Sequence, residues 1–252
     1  MTQTIKGIVR YDGTDFMGWQ RQSHGRTVQG EIENVLSRIA DEPVTIQGAG
    51  RTDAGVHALG QVFSCVWPKD VPPRLCHALN RMLMPEVQLL SLVPAEESFN
   101  ARFAARSKHY GYAIQLGASP DPFAARYAWH VPYALDLPLM QALAATVVGE
   151  HDFAGFESTG SQRREHTVRR IFSATLEPGA IVGPQLAANC WHFHYHGDGF
   201  LYHMVRNLTG TLVEIGRGRF PAEFFAECLH SPGPFKGHCA PAQGLFLKEV
   251  QY

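Results

Sequence analysis

The sequence predicts an α+β protein made of two ferredoxin-like (βαββαβ) halves with mostly antiparallel sheets, residues 1–105 and 106–252. Three observations carry this. Period-two alternation and 3.6-residue apolar spacing succeed one another in the order strand, helix, strand, strand, helix, strand, and a similar order follows in the second half. A chain of 252 residues that is 45% hydrophobic can fill one large core or two small ones. The run of small residues at 48–57 joins strand to strand, which excludes a phosphate-cradling P-loop or a dinucleotide fingerprint, since both open a helix.

Residues 4–11 alternate, with Ile5, Val9 and Tyr11 on one face, and Asp12-Gly13-Thr14 supplies turn chemistry. A loop through Phe16, Gly18, Trp19 and Gln20 leads to Thr27, an N-cap for a helix whose Val28, Ile32, Val35, Leu36 and Ile39 recur at helical spacing. Residues 44–47 make a short strand, and 58–66 form another, rich in β-branched and aromatic residues. Pro72-Pro73 opens a helix with Leu75, Leu79, Met82 and Leu83 inward, Pro85 stops it, and 87–93 is the last strand of this half.

In the second half, 108–116 sets Tyr110, Tyr112, Ile114 and Leu116 on one face. Asp136 heads a helix carrying Leu139, Leu143 and Val147, ended at Gly149. Strands at 168–176 and 190–196 precede a helix over 201–215, which divides Leu201, Val205, Leu208, Leu212 and Ile215 from His203, Arg206, Asn207 and Gly210. A short helix at 220–228 and a strand at 245–250 complete the pattern. Two such halves leave a cleft between them, the usual place for a ligand.

A formal net charge of −1 argues against a general nucleic-acid binder, which normally carries a basic excess. Arginines nevertheless gather at Arg102 and Arg106, at Arg163, Arg164, Arg169 and Arg170, and at Arg206, Arg217 and Arg219; each group reads as solvated surface or as a phosphate contact. The first eleven residues have no signal-peptide character, and no apolar stretch reaches the roughly 20 residues of a membrane span, so a cytoplasmic protein without a membrane partner is expected. The five cysteines are odd in number and lack a Cys-x-x-Cys pair, which points to free buried thiols.

Chemistry concentrates in Gly48-Ala49-Gly50-Arg51-Thr52-Asp53-Ala54-Gly55-Val56-His57. Small residues let a large ligand approach the backbone, and in an extended segment Arg51 and Asp53 share a face. Such a pair suits a nucleophile better than a proton donor, although Asp beside Gly also serves simply to cap a turn. Tyr110 reads as core packing or as a ring on which an extruded base stacks. Arg206 reads as a surface arginine or as a partner for a carboxylate or phosphate. His192, His194 and His196 share one strand face, but strand neighbours two apart lie roughly 6.5 Å from each other. No cysteine or acidic cluster is spaced to complete a shell, so a polar face and no metal is the expectation.

Gly50-Arg51-Thr52-Asp53-Ala54-Gly55-Val56-His57 resembles the signature of the bacterial tRNA pseudouridine synthase A (TruA) family, the tRNA pseudouridine(38-40) synthases. Further blocks resemble it in family order: Tyr11-Asp12-Gly13-Thr14 with Gly18-Trp19-Gln20-Arg21-Gln22, Phe99-Asn100-Ala101-Arg102-Phe103, Gly149-Glu150-His151-Asp152-Phe153, Phe200-Leu201-Tyr202-His203-Met204-Val205-Arg206-Asn207 and Ala240-Pro241-Ala242-Gln243-Gly244-Leu245. The match thins at 120–132 and 177–188, and Ala58-Leu59 stands where the family carries Gly-Thr.

The resemblance implies a pseudouridine synthase fold with the active-site cleft between the halves, and isomerisation of uridines 38, 39 and 40 in the anticodon stem-loop of tRNA. It implies a catalytic Asp53, an Arg51 that helps turn out the target nucleotide, a substrate-contacting Tyr110, and Arg206 as basic partner of the aspartate, with Leu245 as a further substrate contact. It also implies a homodimer that grips tRNA and no metal or organic cofactor. Two rivals use the same residues differently. A non-catalytic RNA-binding protein of paired α+β halves has no need of Arg51-Thr52-Asp53, and a glycosidase-like hydrolase needs a second carboxylate, for which the sequence offers no evident candidate.

Overall fold

The opening alternation becomes β1 (Gln3–Tyr11), whose Ile5, Val9 and Tyr11 are buried while Arg10 faces water. It leads to α1 (Val28–Ala40), β2 (Gln47–Gly48), β3 (His57–Trp67), α2 (Leu75–Leu83) and β4 (Val87–Pro94). This computed structural model describes residues 2–160, 166–183, 189–230 and 234–252. The described chain falls into two compact units, one reaching Arg106 and including Phe246–Tyr252, the other Ser107–Leu245.

In the first unit β1 is central, antiparallel to β3 and β4, and β2 pairs antiparallel with the far edge of β3. That arrangement is the split βαβ pattern the element order predicts. Thr27 caps α1 by accepting the Gly30 N–H, an interaction worth about 1 kcal/mol, and Val28, Ile32, Val35 and Leu36 are buried. The strand expected at 44–47 shrinks to Gln47–Gly48 because side chains of α1 take its backbone donors. The Val44 N–H goes to Ser37 Oγ at 2.9 Å and the Ile46 N–H to Glu33 Oε1 at 2.9 Å.

The second unit contains β5 (Ser107–Leu116), β6 (Trp129–Val131), α3 (Leu137–Ala145), β7 (Gly149–Asp152), β8 (Val168–Pro178), β9 (Cys190–Gly197), α4 (Met204–Gly216) and α5 (Glu223–His230). The sheet order is β5-β9-β8-β7, antiparallel throughout, with short β6 added in parallel to β5. Asp136 caps α3 as expected, but the helix ends at Ala145, and Gly149, at φ 118°, begins β7 instead of stopping the helix.

The side of α4 read as polar is not a surface. Asn207, Thr209, Gly210, Thr211 and Glu214 are all buried, and Asn207 donates to the Phe156 carbonyl at 2.8 Å and to Ser158 Oγ at 3.0 Å. The last strand is β10 (Leu245–Gln251), at the place the alternation predicts. Its Phe246 and Leu247 pair in parallel with His57 and Ala58 of β3, which ties Phe246–Tyr252 to the first unit.

All five cysteines are free thiols, and no helix among the described residues is long and apolar enough to cross a membrane. Burial pushes the Cys65 thiol up to about 12 and raises the Tyr11 and Tyr195 phenols well above their usual range. These groups keep their protons in the fold at a pH where the unfolded chain has lost them. The stabilisation is therefore full below about pH 9 and is lost as pH climbs through the folded-state values. Thermal unfolding is expected to show a falling Tm from about pH 9 upward, with Cys65 slow to alkylate in the native protein; a flat Tm to pH 11 contradicts this.

Candidate active site

The loop between β2 and β3 is built on backbone contacts. Ala49 N–H donates to the Val62 carbonyl at 2.8 Å, Gln61 Nε2 to the Gly50 carbonyl at 2.9 Å, and Val56 N–H to the Asp53 carbonyl at 3.1 Å, closing a turn around Ala54 and Gly55. The 16–20 loop lies directly against it. Trp19 N–H donates to the Thr52 carbonyl at 3.0 Å and Gly55 N–H to the Phe16 carbonyl at 3.3 Å. Gly18, at φ 87°, makes this approach possible, since a Cβ there would sit 2.6 Å from the Thr52 oxygen and 3.1 Å from the Asp53 carbonyl carbon.

Burial alternates along the motif. Thr52 is buried and its Oγ1 meets the buried Tyr11 hydroxyl at 2.8 Å, whereas Arg51 is exposed and Asp53 half-buried. Arg51 donates through Nε to Gln20 Oε1 at 3.1 Å, so the guanidinium is held by the neighbouring loop. Below the turn, His57 Nδ1 accepts the Gly13 N–H at 3.1 Å and lies 3.2 Å from Asp12 Oδ1, with its ring stacked on Phe246 at 4.7 Å. A hydrogen-bonded base of buried side chains thus carries one acid and one arginine at its rim.

The second unit holds the other residues singled out from sequence. Tyr110 on β5 is buried, with its ring edge-on to Phe200 at 5.0 Å. Arg206, in the first turn of α4, is half-buried and donates through Nε to the Ala240 carbonyl at 2.7 Å, while Ala240 N–H returns a bond to the Arg206 carbonyl at 3.1 Å. The Tyr112 hydroxyl donates to the Pro241 carbonyl at 2.7 Å; burial drives that phenol well above its usual range, against the pull of the Arg206 charge. Leu245, at the head of β10, is buried. The structure therefore joins Arg51 to Asp53 on one loop and fastens Arg206 to the 240–241 segment beneath Tyr112.

A family model for tRNA pseudouridine synthase matches residues 8–104 and 143–252, taking in the Asp53 loop, Arg206 and Leu245. The chain belongs to the tRNA pseudouridine synthase family. It is similar over its whole length to proteins named tRNA pseudouridine synthase A. That of Geobacter sulfurreducens is 40% identical over 252 residues, spanning 99% of this chain and 100% of the relative. The Latilactobacillus sakei protein is 39% identical over 255 residues with both chains covered in full, and the Streptococcus equi subsp. equi protein is 41% identical over 251 residues, 98% of each.

As a member of this family the chain is an enzyme of the isomerase class. Sequence reasoning passed over several residues that shape the synthase's candidate site. Tyr11 and Gln20 fall in blocks that resemble the family and Tyr11 and Tyr112 on strand faces, but the supporting role of each rests on a long-range hydrogen bond that spacing does not encode. Of the arginine groups, Arg217 and Arg219 ion-pair with the buried Glu214 at 2.8 and 2.9 Å, a structural duty, and Arg163 and Arg164 lie outside the described residues. Sequence spacing offers no acidic cluster beside the histidines of β9; the strand register sets one acid, Glu177 of β8, opposite His192.

Proposed function

We infer that this synthase isomerises uridines 38, 39 and 40 in the anticodon stem-loop of tRNA to pseudouridine, working as a homodimer in the cytoplasm, with Asp53 as the catalytic group. The observation that carries the reading is the Asp53 loop itself. An aspartate is set at a solvent-reachable rim over a buried, hydrogen-bonded base, within a chain matched by the family model on both sides of it. The exposed Arg51 is the group that helps turn out the nucleotide, Tyr110 is the ring that meets the uracil, Arg206 is the basic partner of the acid, and Leu245 is an apolar substrate contact.

The reaction needs no external atom. The bond from ribose C1′ to uracil N1 breaks, the base turns, C5 bonds to C1′, and the C5 proton is released while N1 gains one. A carboxylate can serve by attacking the sugar carbon, by attacking the ring, or by moving the proton. Extruding a stacked base costs a few kcal/mol, which phosphate contacts and stacking offset.

The test is to incubate the protein with unmodified tRNA and map pseudouridine by a base-specific chemical adduct. Pseudouridine within positions 38 to 40 is the expected result. Release of free uracil would assign hydrolysis instead, and unaltered tRNA retained by the protein would assign a binding role; either overturns the reading.

A further inference from the structure

His192 and His194 lie on the face of β9 opposite Phe193 and Tyr195, whose rings are fully buried. The antiparallel register with β8 sets Glu177 directly across from His192 and Thr175 across from His194. Glu177 Oε2 is 3.7 Å from His194 Nε2, the two imidazoles meet edge to face at 4.4 Å, and one donor atom from each of the three residues falls within 4.8 Å of the others. We propose that Glu177, His192 and His194 form a site for a divalent transition metal, of the two-imidazole, one-carboxylate class that zinc takes, clipping β8 to β9.

The groups behind the donors support this assignment. A metal-bound histidine commonly gives its other ring N–H to a backbone carbonyl, which fixes the tautomer and raises the basicity of the ligating nitrogen. His192 Nδ1 lies 2.9 Å from the Gly179 carbonyl, which can only accept; Nδ1 therefore carries the proton and Nε2 the lone pair. Glu177 is held similarly, since Thr175 Oγ1 donates to its Oε1 at 3.0 Å and leaves Oε2 on the side of His194. Tetrahedral donors about 2.1 Å from an ion sit roughly 3.4 Å apart, so the three need to draw together slightly. Glu177 is exposed and has the rotamer freedom to close that gap, while the half-buried histidines leave solvent positions for the remaining ligands.

The site is independent of the isomerisation, which consumes no metal and uses other residues. Its test is a Co2+ titration of the metal-free full-length protein, read by visible d–d absorption, beside a Zn2+ titration read by calorimetry. Expected are one ion per chain, a four-coordinate spectrum without a thiolate charge-transfer band, and affinity at least about tenfold weaker in Glu177→Gln and in His194→Ala. Glu177→Gln keeps the shape of an exposed side chain, so its loss of affinity is read on a folded protein. No saturable binding, a thiolate band, or variants that bind as tightly as the parent overturn the proposal.

Discussion

Asp53→Ala is expected to lower kcat/KM for pseudouridine formation by about 10³-fold or more, equivalent to about 4 kcal/mol of transition-state stabilisation. Affinity for tRNA should change by no more than about threefold. One half-buried carboxylate adds little to a surface whose attraction to phosphates comes from cations, and removing a negative charge does not weaken that attraction. The fold should survive, because the loop is held by backbone bonds to Trp19, Phe16 and Val62 and by the Tyr11–Thr52 contact, none of which uses the Asp53 carboxylate. Asp53→Asn, nearly the same shape, should be as inactive as Asp53→Ala. Single-turnover assays on purified, folded variants make the measurement, and turnover within tenfold of the parent by either variant removes Asp53 from the chemistry.

Where local chemistry decides the backbone, the fold was legible in advance. Thr27 and Asp136 cap their helices because a short side-chain oxygen finds the N–H three residues on, an interaction visible in sequence spacing. The alternation of β1 and β9 survives in their burial because each packs one face, whereas β5 is buried on both faces from Tyr110 to Gln115 and loses it. Failures occur where a distant group claims a backbone or side-chain donor. Ser37 and Glu33 take the N–H groups that would have made 44–47 a strand. Asn207 is buried on α4 because the Phe156 carbonyl, 51 residues away, needs a donor. In the same way the motif at 50–57 is readable as chemistry, but its supports on Tyr11 and Gln20 depend on pairings that spacing does not encode. Glu177 could be placed beside His192 only once the β8–β9 register was known.

Gly13→Ala is expected to have the next largest effect, although Gly13 lies 40 positions before Asp53. Gly13 follows β1 at the point where the chain crosses under the Asp53 turn. A Cβ on it would fall 1.9 Å from the Val56 carbonyl oxygen and 2.6 Å from the Val56 carbonyl carbon. These are backbone atoms, so no rotamer change relieves the overlap, and the Val56 peptide has to move. Val56 N–H closes the turn on the Asp53 carbonyl, and Val56 precedes His57, whose Nδ1 accepts the Gly13 N–H. Displacing Val56 therefore strains both bonds at once, at a cost of about 2–3 kcal/mol in stability. It also moves the carboxylate, and misplacement of a reacting group by about 1 Å costs on the order of 10²-fold in rate. Denaturant unfolding and steady-state kinetics on Gly13→Ala should thus show a lowered midpoint together with a loss in kcat larger than the change in KM. The exposed neighbour Arg10→Ala, which does not touch the turn, should leave both near the parent values. If Gly13→Ala lost stability but kept kcat, the Asp53 loop would be positioned by something other than the Gly13–Val56 contact.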